Sequence, residues 1–434
     1  MVLACLLVLF RAKARAYGFV ISAILLKRRI MAVGKCEFPQ MHAVSGIKLG
    51  AACAGIKQTE RDDLLLIEME VGATCAAVFT QNAFCAAPVL VAKDNLDKQP
   101  RYLLINSGNA NAGTGEQGLI DAQASCAAVA KLSEVNAEQV LPFSTGVIGE
   151  ALPVNKIVAA LPKTQANLSA GNWTKAAHAI MTTDTFAKGY SKLIEIDGHA
   201  ITITGMSKGA GMIQPNMATM LGFVATDARI SRDLLQKCLT VAVEQSFNRI
   251  TVDGDTSTND ACVLMASGKS TLPEITQGSE ALQVFQQAIQ EACMHLAEAI
   301  IRDGEGATKL IKINVKQAKD EAEAVQVAKT IAHSPLVKTA FFASDPNWGR
   351  ILAAVGRSDV EQLDVNKISI YLDDICIVEN GGRAASYTEA AGQKVMDQDE
   401  ISVNVIMGRG AAEQQVLTCD FSYDYVRINA EYRT

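Results

Sequence analysis

Residues 205–224 have the sequence GMSKGAGMIQPNMATMLGFV. Its glycines permit positive φ, and Pro215 fixes its own φ and restricts Gln214, which together predict a kinked loop. The apolar run that begins at Thr219 is typical of a buried strand. A threonine at the mouth of a strand, directly after a glycine-rich loop, is where a self-processing nucleophile would sit.

The local sequence pattern of this segment also allows interpretations without a catalytic role. Gly209-Ala210-Gly211 is similar to part of a dinucleotide-binding loop, but Gln214 occupies the position of the third glycine, so that fingerprint fails. Lys208 would be a solvated surface lysine in most proteins, and Thr219 a strand threonine with its hydrogen bonds satisfied. The local pattern favours these roles over a nucleophile.

The chain before this segment is predicted to consist of short strands and turns. Ile67, Met69 and Val71 alternate with two glutamates, as in a strand with one buried face. Alternating isoleucines flank Asp197-Gly198, which predicts a β-hairpin.

The chain after this segment shows clear helical periodicity. Ser231 is a plausible N-cap for a first apolar stripe, formed by Leu234, Leu235, Cys238, Leu239 and Ala242. A longer stripe ends near Gly304 and consists of Leu282, Phe285, Ile289, Cys293, Leu296 and Ile300. Strands are predicted at 368–378, 401–406 and 416–425. Because strands and long helices do not alternate regularly, the pattern indicates an α+β layered fold.

Composition excludes several classes of protein. The 434 residues allow two domains or one large layered domain. A net charge of -6 argues against nucleic-acid binding, which needs a basic face. The eleven cysteines include no C-x-x-C pair, so we expect a reducing, cytoplasmic compartment and neither a disulfide framework nor a zinc site. None of the five histidines lies in a motif described here, which gives Ser-His or Cys-His catalysis little support.

The first thirty residues differ from the rest. Two apolar runs, 2–10 and 17–26, are separated by basic residues, and each is shorter than the roughly 20 residues that span a bilayer. Lys27-Arg28-Arg29 offers no signal-peptidase site. The absence of acidic residues fits a mitochondrial presequence, but ordinary globular sequence begins at once after Met31. We expect residues 1–30 to be a non-native extension and no part of the chain to enter a membrane.

Residues 205–221 closely resemble the processing site of the ornithine acetyltransferases, also called bifunctional glutamate N-acetyltransferases of arginine biosynthesis. The resemblance extends from about Met31 to Thr434. It includes further motifs in one order, at 78–82, 106–111, 144–149, 181–185, 252–260, 303–309 and 345–350.

This resemblance implies an α/β sandwich with the N-terminal-nucleophile-like architecture of the DmpA-type self-cleaving aminopeptidase. It also implies a cut between Ala218 and Thr219, giving an α chain of residues 31–218 and a β chain of residues 219–434. The fragments of the family assemble as two α and two β chains. Cleavage would free the Thr219 α-amine, whose ordinary pKa of about 7.7–8.0 suits a general base for its own hydroxyl.

The resemblance also assigns the site. It makes Thr145 and Gly146 the oxyanion hole, and places at the substrate Thr182, Lys208, Thr219, Glu305, Asn429 and Thr434. Lys208 and hydroxyl groups suit a carboxylate, and Glu305 suits an ammonium group. Thr183 and Thr185 remain alternatives to Thr182, because they stand beside it.

A second polar segment, residues 253–264, is similar to a calcium loop only at its start. Thr258 replaces the required glycine and Leu264 the required glutamate, so the EF-hand pattern fails. We expect a polar loop, structural or near the site, and no metal.

The reaction that the resemblance implies has two steps. Acetylornithine acylates Thr219 and leaves as ornithine, and glutamate then takes the acetyl group. Some family members also accept acetyl-CoA as a donor; no CoA motif decides that point here, and no cofactor is expected. Two rival interpretations are a self-processing aminopeptidase that passes its acyl group to water, and an uncleaved binding or membrane-associated protein.

Overall fold

Three β-sheets organise the part of the chain that the computed structural model describes, residues 33–34, 37–57, 60–214 and 220–431. The first sheet has the strand order β1 (Ile47–Ala52), β2 (Leu64–Met69), β4 (Tyr102–Asn109) and β5 (Val140–Val147). The second has the order β3 (Thr74–Phe79), β10 (Ala261–Ala266), β8 (Leu221–Thr226), β7 (His199–Lys208) and β6 (Lys188–Ile196). In each of these two sheets one pair is parallel, β4 with β5 and β8 with β10.

The third sheet is formed by the C-terminal part of the chain. Its order is β14 (Gly382–Arg383), β13 (Ile375–Glu379), β12 (Ser369–Leu372), β15 (Glu400–Ile406), β11 (Leu310–Ala318), β16 (Ala412–Cys419) and β9 (Ile250–Thr251). Its apolar face packs against α7 (Glu321–Ala332), α8 (Pro335–Phe342), α9 (Trp348–Gly356) and α10 (Glu389–Met396). A last helix, α11 (Tyr423–Ala430), follows β16.

The first two sheets pack face to face and form the centre of a four-layer sandwich. Phe143 and Phe223 meet edge to face across this interface, with ring centroids 5.3 Å apart, a pair worth about 0.5–1.5 kcal/mol beyond its buried area. The outer face of the first sheet is covered by α2 (Gly115–Ser133) and α3 (Val154–Ala166), and that of the second by α5 (Arg232–Glu244) and α6 (Glu280–Arg302). Two shorter helices, α1 (Ala87–Asn95) and α4 (Trp173–Ala179), pack beside the sheets. The predicted layered α/β sandwich is confirmed.

Several local predictions are confirmed. The hairpin of β6 and β7 turns at Asp197 and Gly198, with φ of 51° and 76°, the positive values that a two-residue type I′ turn requires. Helix α5 begins directly after Ser231, although the Ser231 side chain makes no capping hydrogen bond. Helix α6 contains the longer apolar stripe, from Leu282 to Ile300. The strand predicted at 368–378 is divided into β12 and β13. The strand predicted at 401–406 lies within β15.

The prediction of short strands and turns for the first half is confirmed for strands β1 to β7 but misses the helices. This half contains helices α1 to α4. On α2 the buried residues are small ones such as Ala122, Ser125, Cys126 and Ala130. Small residues let the helix approach the sheet closely, but they leave no stripe of large apolar side chains that would reveal the helix in the sequence.

The alternating strand predicted at Ile67–Val71 is also wrong in extent. Strand β2 ends at Met69, and residues 64–67 are buried without alternation, because the strand lies inside a sheet that is covered on both faces. Val71 is 73% exposed in the turn that follows.

The predicted loop begins later than expected. Gly205 lies within β7, opposite Val224, rather than in a turn. A Cβ added at Gly205 would lie 3.0 Å from Val224 and 3.3 Å from Leu296 of α6, so this glycine makes room for a helix packed on the sheet. The apolar run after the loop does form a strand, β8, with all six residues buried.

The strand predicted at 416–425 stops early. Strand β16 ends at Cys419, and Ser422 then caps α11 by accepting hydrogen bonds from the backbone N–H groups of Asp424 and Tyr425. Asn429 therefore lies on a helix and not on a tail. The capping serine outweighs the alternating pattern of the residues after it.

The segments outside the described residues include the predicted extension 1–30, the cut site at 218–219, and Thr434. Within the described residues, no helix combines the length and apolar character needed to cross a membrane.

Candidate active site

A cavity of about 270 Å³ opens at the ends of strands from the first two sheets. It is lined by six of the residues predicted for the site, Thr145, Gly146, Thr182, Lys208, Glu305 and Asn429. Met220 also lines it. The other predicted residues, Ala218, Thr219 and Thr434, lie outside the described residues; Thr219 immediately precedes Met220 in the sequence.

Gly146 lies in β5 opposite Gly108 of β4. Its φ of 136° favours glycine, and an added Cβ would lie 2.3 Å from the carbonyl carbon of Gly108. No other residue fits there without moving the backbone. The close approach of the two strands holds the Thr145-Gly146 peptide at the wall of the cavity.

The Thr145 hydroxyl is oriented by a lysine from the second sheet. Lys208 Nζ, at the end of β7, donates a hydrogen bond of 3.1 Å to Thr145 Oγ1. A hydroxyl that accepts from an ammonium group keeps its own proton to donate. The pair can therefore stabilise an anionic oxygen in the cavity.

Lys208 carries its charge in a poorly solvated position. Burial lowers the pKa of its ammonium group, and the nearby acidic side chains of Asp184, Asp260 and Glu305 only partly oppose this. A desolvated cation of this kind gains from an anionic ligand such as a carboxylate.

Glu305 lies across the same cavity and is largely enclosed. Gly211 admits its carboxylate, because a Cβ at Gly211 would lie 2.3 Å from Glu305 Oε2. Asn429 Nδ2 of α11 donates a 2.8 Å hydrogen bond to the same oxygen, and the Thr183 side chain also hydrogen-bonds to this carboxylate. Burial raises the pKa of Glu305 above its usual value, against these hydrogen bonds. An ammonium group on a ligand would add a cationic partner to the neutral hydrogen-bond donors of this carboxylate.

Behind the cavity lies a fully buried ion cluster centred on Lys188 at the start of β6. Its Nζ is 2.6 Å from Asp184 Oδ1 and 2.6 Å from Asp303 Oδ2. Burial alone would lower the pKa of Lys188, but the two carboxylates raise it. Burial likewise opposes ionisation of Asp184, yet Lys188 and Lys208 hold its pKa well below its usual range. The Lys188–Asp184 pair is therefore ionised, whereas burial raises the pKa of Asp303 above its usual value although Lys188 opposes this.

This cluster connects three segments of the cavity wall. Asp184 accepts hydrogen bonds from the backbone N–H groups of Thr182, at 2.9 Å, and Gly209, at 2.7 Å. Asp303 accepts from the backbone N–H and the hydroxyl of Thr185. The segments that carry Thr182, Lys208 and Glu305 are thus fixed to one ionic centre.

The polar segment 252–260 supports the other side of the cavity. Asp253 accepts from the backbone N–H groups of Met212, at 2.6 Å, and Ile213, at 2.9 Å. Asn259 Nδ2 donates to the carbonyl oxygens of Ala110 and Ser144. The segment is therefore both structural and adjacent to the site. Among the described residues, no group of His, Cys, Asp or Glu is arranged to hold a metal ion.

Some residues of the site were not predicted individually from the sequence. Asp184, Asp260 and Asp303 lie in motifs on which the family resemblance rests. The grouping of aspartate with threonine and asparagine in these motifs could have indicated that they belong to the site. Lys188 gave no signal, because a lysine at the start of an alternating strand is ordinarily a surface residue.

Comparison with known proteins identifies the family. The model of the ArgJ family matches residues 48–434. The chain belongs to the ArgJ family. The arginine biosynthesis bifunctional protein ArgJ of Methylococcus capsulatus is 62% identical over 391 residues, which are 90% of this chain and 96% of that protein. The protein of the same name from Pseudomonas fluorescens is 55% identical over 93% of this chain and 100% of its own.

Solved structures of ArgJ proteins are also similar. The crystal structure of the arginine biosynthesis bifunctional protein from Bacillus halodurans shares 43% identity with this chain, covering 49% of it and 99% of the solved chain, with a TM-score of 0.47. The ArgJ match in sequence spans every described site residue from Thr145 to Asn429. The family resemblance found in the sequence is confirmed.

We expect Asn429→Ala to weaken substrate binding without unfolding α11. The substitution removes the hydrogen bond that orients the Glu305 carboxylate from an exposed position of α11, so the KM for acetylornithine should rise about tenfold, equivalent to about 1.4 kcal/mol, with a smaller effect on Tm. Val426→Ala is the matched control, because Val426 lies on the same helix and is 66% exposed. An unchanged KM in Asn429→Ala would remove this residue from the site.

Proposed function

We propose that this protein is an acetyltransferase of arginine biosynthesis that moves the acetyl group of N2-acetylornithine to glutamate. The acetyl group is carried on Thr219, which is freed when the chain cuts itself between Ala218 and Thr219. The observation that carries the proposal is the cavity itself, whose lining combines the basic group of Lys208, the acidic group of Glu305 and the Thr145-Gly146 peptide. Membership of the ArgJ family supports the same reaction.

The charges of the cavity suit the substrates. Acetylornithine and glutamate each have an α-carboxylate, for which Lys208 and the Thr182 hydroxyl are partners. The side-chain ammonium of acetylornithine suits Glu305. A substrate held at both ends places its acetyl carbonyl near Thr145 and Gly146.

The chemistry follows from an N-terminal threonine. The Thr219 amine takes the proton of its own hydroxyl while Oγ attacks the acetyl carbon. Gly146 N–H and the Thr145 hydroxyl then stabilise the oxyanion, and one such donor contributes about 10²–10³ in rate. Departure of ornithine leaves acetyl-Thr219, which the amine of glutamate attacks in the second step.

The proposed assembly and location of the protein are those of the family that it resembles. The α chain of residues 31–218 and the β chain of residues 219–434 stay together, and two of each form a heterotetramer in the cytoplasm. The scheme needs no cofactor, since the acetyl group passes between two amines through Thr219. Acetyl-CoA would serve as a second donor to the same threonine.

A test of the acceptor separates a transferase from an aminopeptidase or amidohydrolase of the same fold. Purified protein is given N2-acetylornithine with and without glutamate, and free ornithine is measured. We expect glutamate to accelerate ornithine release and to appear as acetylglutamate. Equal release without glutamate would make the protein a hydrolase, and no release would refute the proposed reaction.

Protonation of Glu305 should determine how the KM for acetylornithine changes at low pH. Because burial raises its pKa, the carboxylate is protonated, and its attraction for an ammonium is lost, at a higher pH than for an exposed glutamate. The KM for acetylornithine should therefore rise as pH falls towards this pKa. Glu305→Gln should show a high KM that no longer changes over this range, whereas Glu195→Gln, at an exposed position, should keep the wild-type profile. A wild-type profile in Glu305→Gln would contradict the assignment.

A further inference from the structure

Asp260 is a buried carboxyl at the wall of the cavity that the mechanism above does not use. Asp260 lines the cavity although the residue is only 4% exposed. Ser257 hydrogen-bonds to the carboxyl, but no donor among the described residues reaches Oδ2. A buried polar atom without a partner costs about 1–3 kcal/mol, so its retention in a cavity points to a ligand or a reaction.

The position of Asp260 is fixed on both sides by groups next to the reacting atoms. On one side, Ala261 N–H donates a 2.9 Å hydrogen bond to the carbonyl of Met220, the residue that follows Thr219. On the other, Asn259 Nδ2 donates a 3.0 Å hydrogen bond to the carbonyl of Ser144, the residue before Thr145. Asp260 therefore stands between the strand that begins after the cut site and the strand that ends in the oxyanion pair.

The protonation of Asp260 suits an acid. Burial raises the pKa of its carboxyl well above the usual value, and Ser257 and Lys208 oppose this only in part. The carboxyl therefore keeps a proton at a pH where an exposed aspartate has lost it. A neutral carboxyl also leaves the charge of Lys208 available to a substrate carboxylate.

We propose that Asp260 is a further catalytic residue, whose carboxyl gives a proton to the departing amine and takes one from the entering amine. The inference rests on the proposed acetyl transfer through Thr219. An acyl transfer between amines needs such a group, because a departing amine must gain a proton and an attacking amine must lose one.

The protons balance over the two steps. In the first, the Thr219 amine takes the hydroxyl proton as Oγ bonds to the acetyl carbon. The carbon–nitrogen bond breaks, and the amine leaves with the proton of Asp260, which becomes a carboxylate. In the second, a neutral amine bonds to the acetyl carbon and gives one proton to Asp260. The ester bond breaks, and Oγ regains its proton from the Thr219 ammonium.

The substitution Asp260→Asn tests this role sharply. Asparagine has nearly the shape and the charge of a protonated aspartate but cannot carry its proton. We expect kcat per cleaved chain to fall about 10²–10⁴-fold, with the KM for acetylornithine within about twofold of wild type. Asp227→Asn is the matched control: Asp227 is also buried, accepts from Thr202 N–H, and follows the opposite end of β8. Wild-type kcat in Asp260→Asn, or an equal loss in Asp227→Asn, would overturn the inference.

Cleavage gives a second readout, because the Thr219 nitrogen must also gain a proton when it leaves Ala218. Asp260→Asn should be cut more slowly than the wild type, and the part still uncut should melt at the same Tm as uncut Thr219→Ala; the part that is cut supplies the chains for the kcat measurement. Asp260→Glu should recover part of the lost kcat, since it restores a carboxyl. Equal losses in the Asn and Glu variants, with a lowered Tm in both, would show a packing role and overturn the inference. Wild-type protein without glutamate-dependent ornithine release would refute the proposed function instead.

Discussion

Thr219→Ala should remain a single chain and lose acetyl transfer. The substitution removes the hydroxyl that both self-cleavage and acyl transfer require, so the rate should fall by at least about 10⁴-fold, the scale seen when an enzyme loses its nucleophile. A denaturing gel reports the cleavage, and glutamate-dependent ornithine release reports the transfer.

Thr219→Ser is the matched control, because it keeps the hydroxyl and removes only a methyl group. It should be cut and should retain measurable transfer. An alanine variant that is cut and active would show that another group is the nucleophile.

Lys188→Met should destabilise the fold more than any other single substitution described above. It leaves the carboxylates of Asp184 and Asp303 buried without their cation, and breaking a buried ion pair in this way costs about 3–5 kcal/mol. The free energy of unfolding from urea titration measures the loss. Transfer activity should fall with it, because the same cluster fixes the segments of Thr182 and Gly209.

Lys192→Met provides the comparison on the same strand. Lys192 pairs with Glu291, but both side chains are about half exposed, and exposed pairs contribute about 0–1 kcal/mol. Equal stability of Lys188→Met and Lys192→Met would show that the buried cluster does not stabilise the fold.

The layered fold was predictable where periodicity was strong. The stripe of α6 and the Asp197-Gly198 hairpin each have a pattern that only one local structure satisfies. The helix α2 was not predictable in the same way, because its buried face consists of small residues that pack against a sheet. Gly205 was misinterpreted for a related reason: its missing side chain serves the close packing of Leu296 and not a turn.

The sequence motifs indicated candidate site residues, but they did not indicate the long-range contacts that hold these residues in position. The motifs supplied Thr145, Lys208 and Glu305, which the structure brings to one cavity. The contribution of Lys188 depends on two carboxylates 4 and 115 residues away in the sequence, which no local pattern connects. The position of Asn429 depended on a capped helix where alternation indicated a strand and a tail.

Self-cleavage before Thr219 creates the nucleophile on which the whole proposed reaction depends. The most direct test is intact mass measurement of the purified wild-type protein, with N-terminal sequencing of each fragment. We expect two chains, the second beginning Thr-Met-Leu-Gly-Phe at residue 219. A single uncut chain that still transfers acetyl from acetylornithine to glutamate, or a cut at another position, would contradict it.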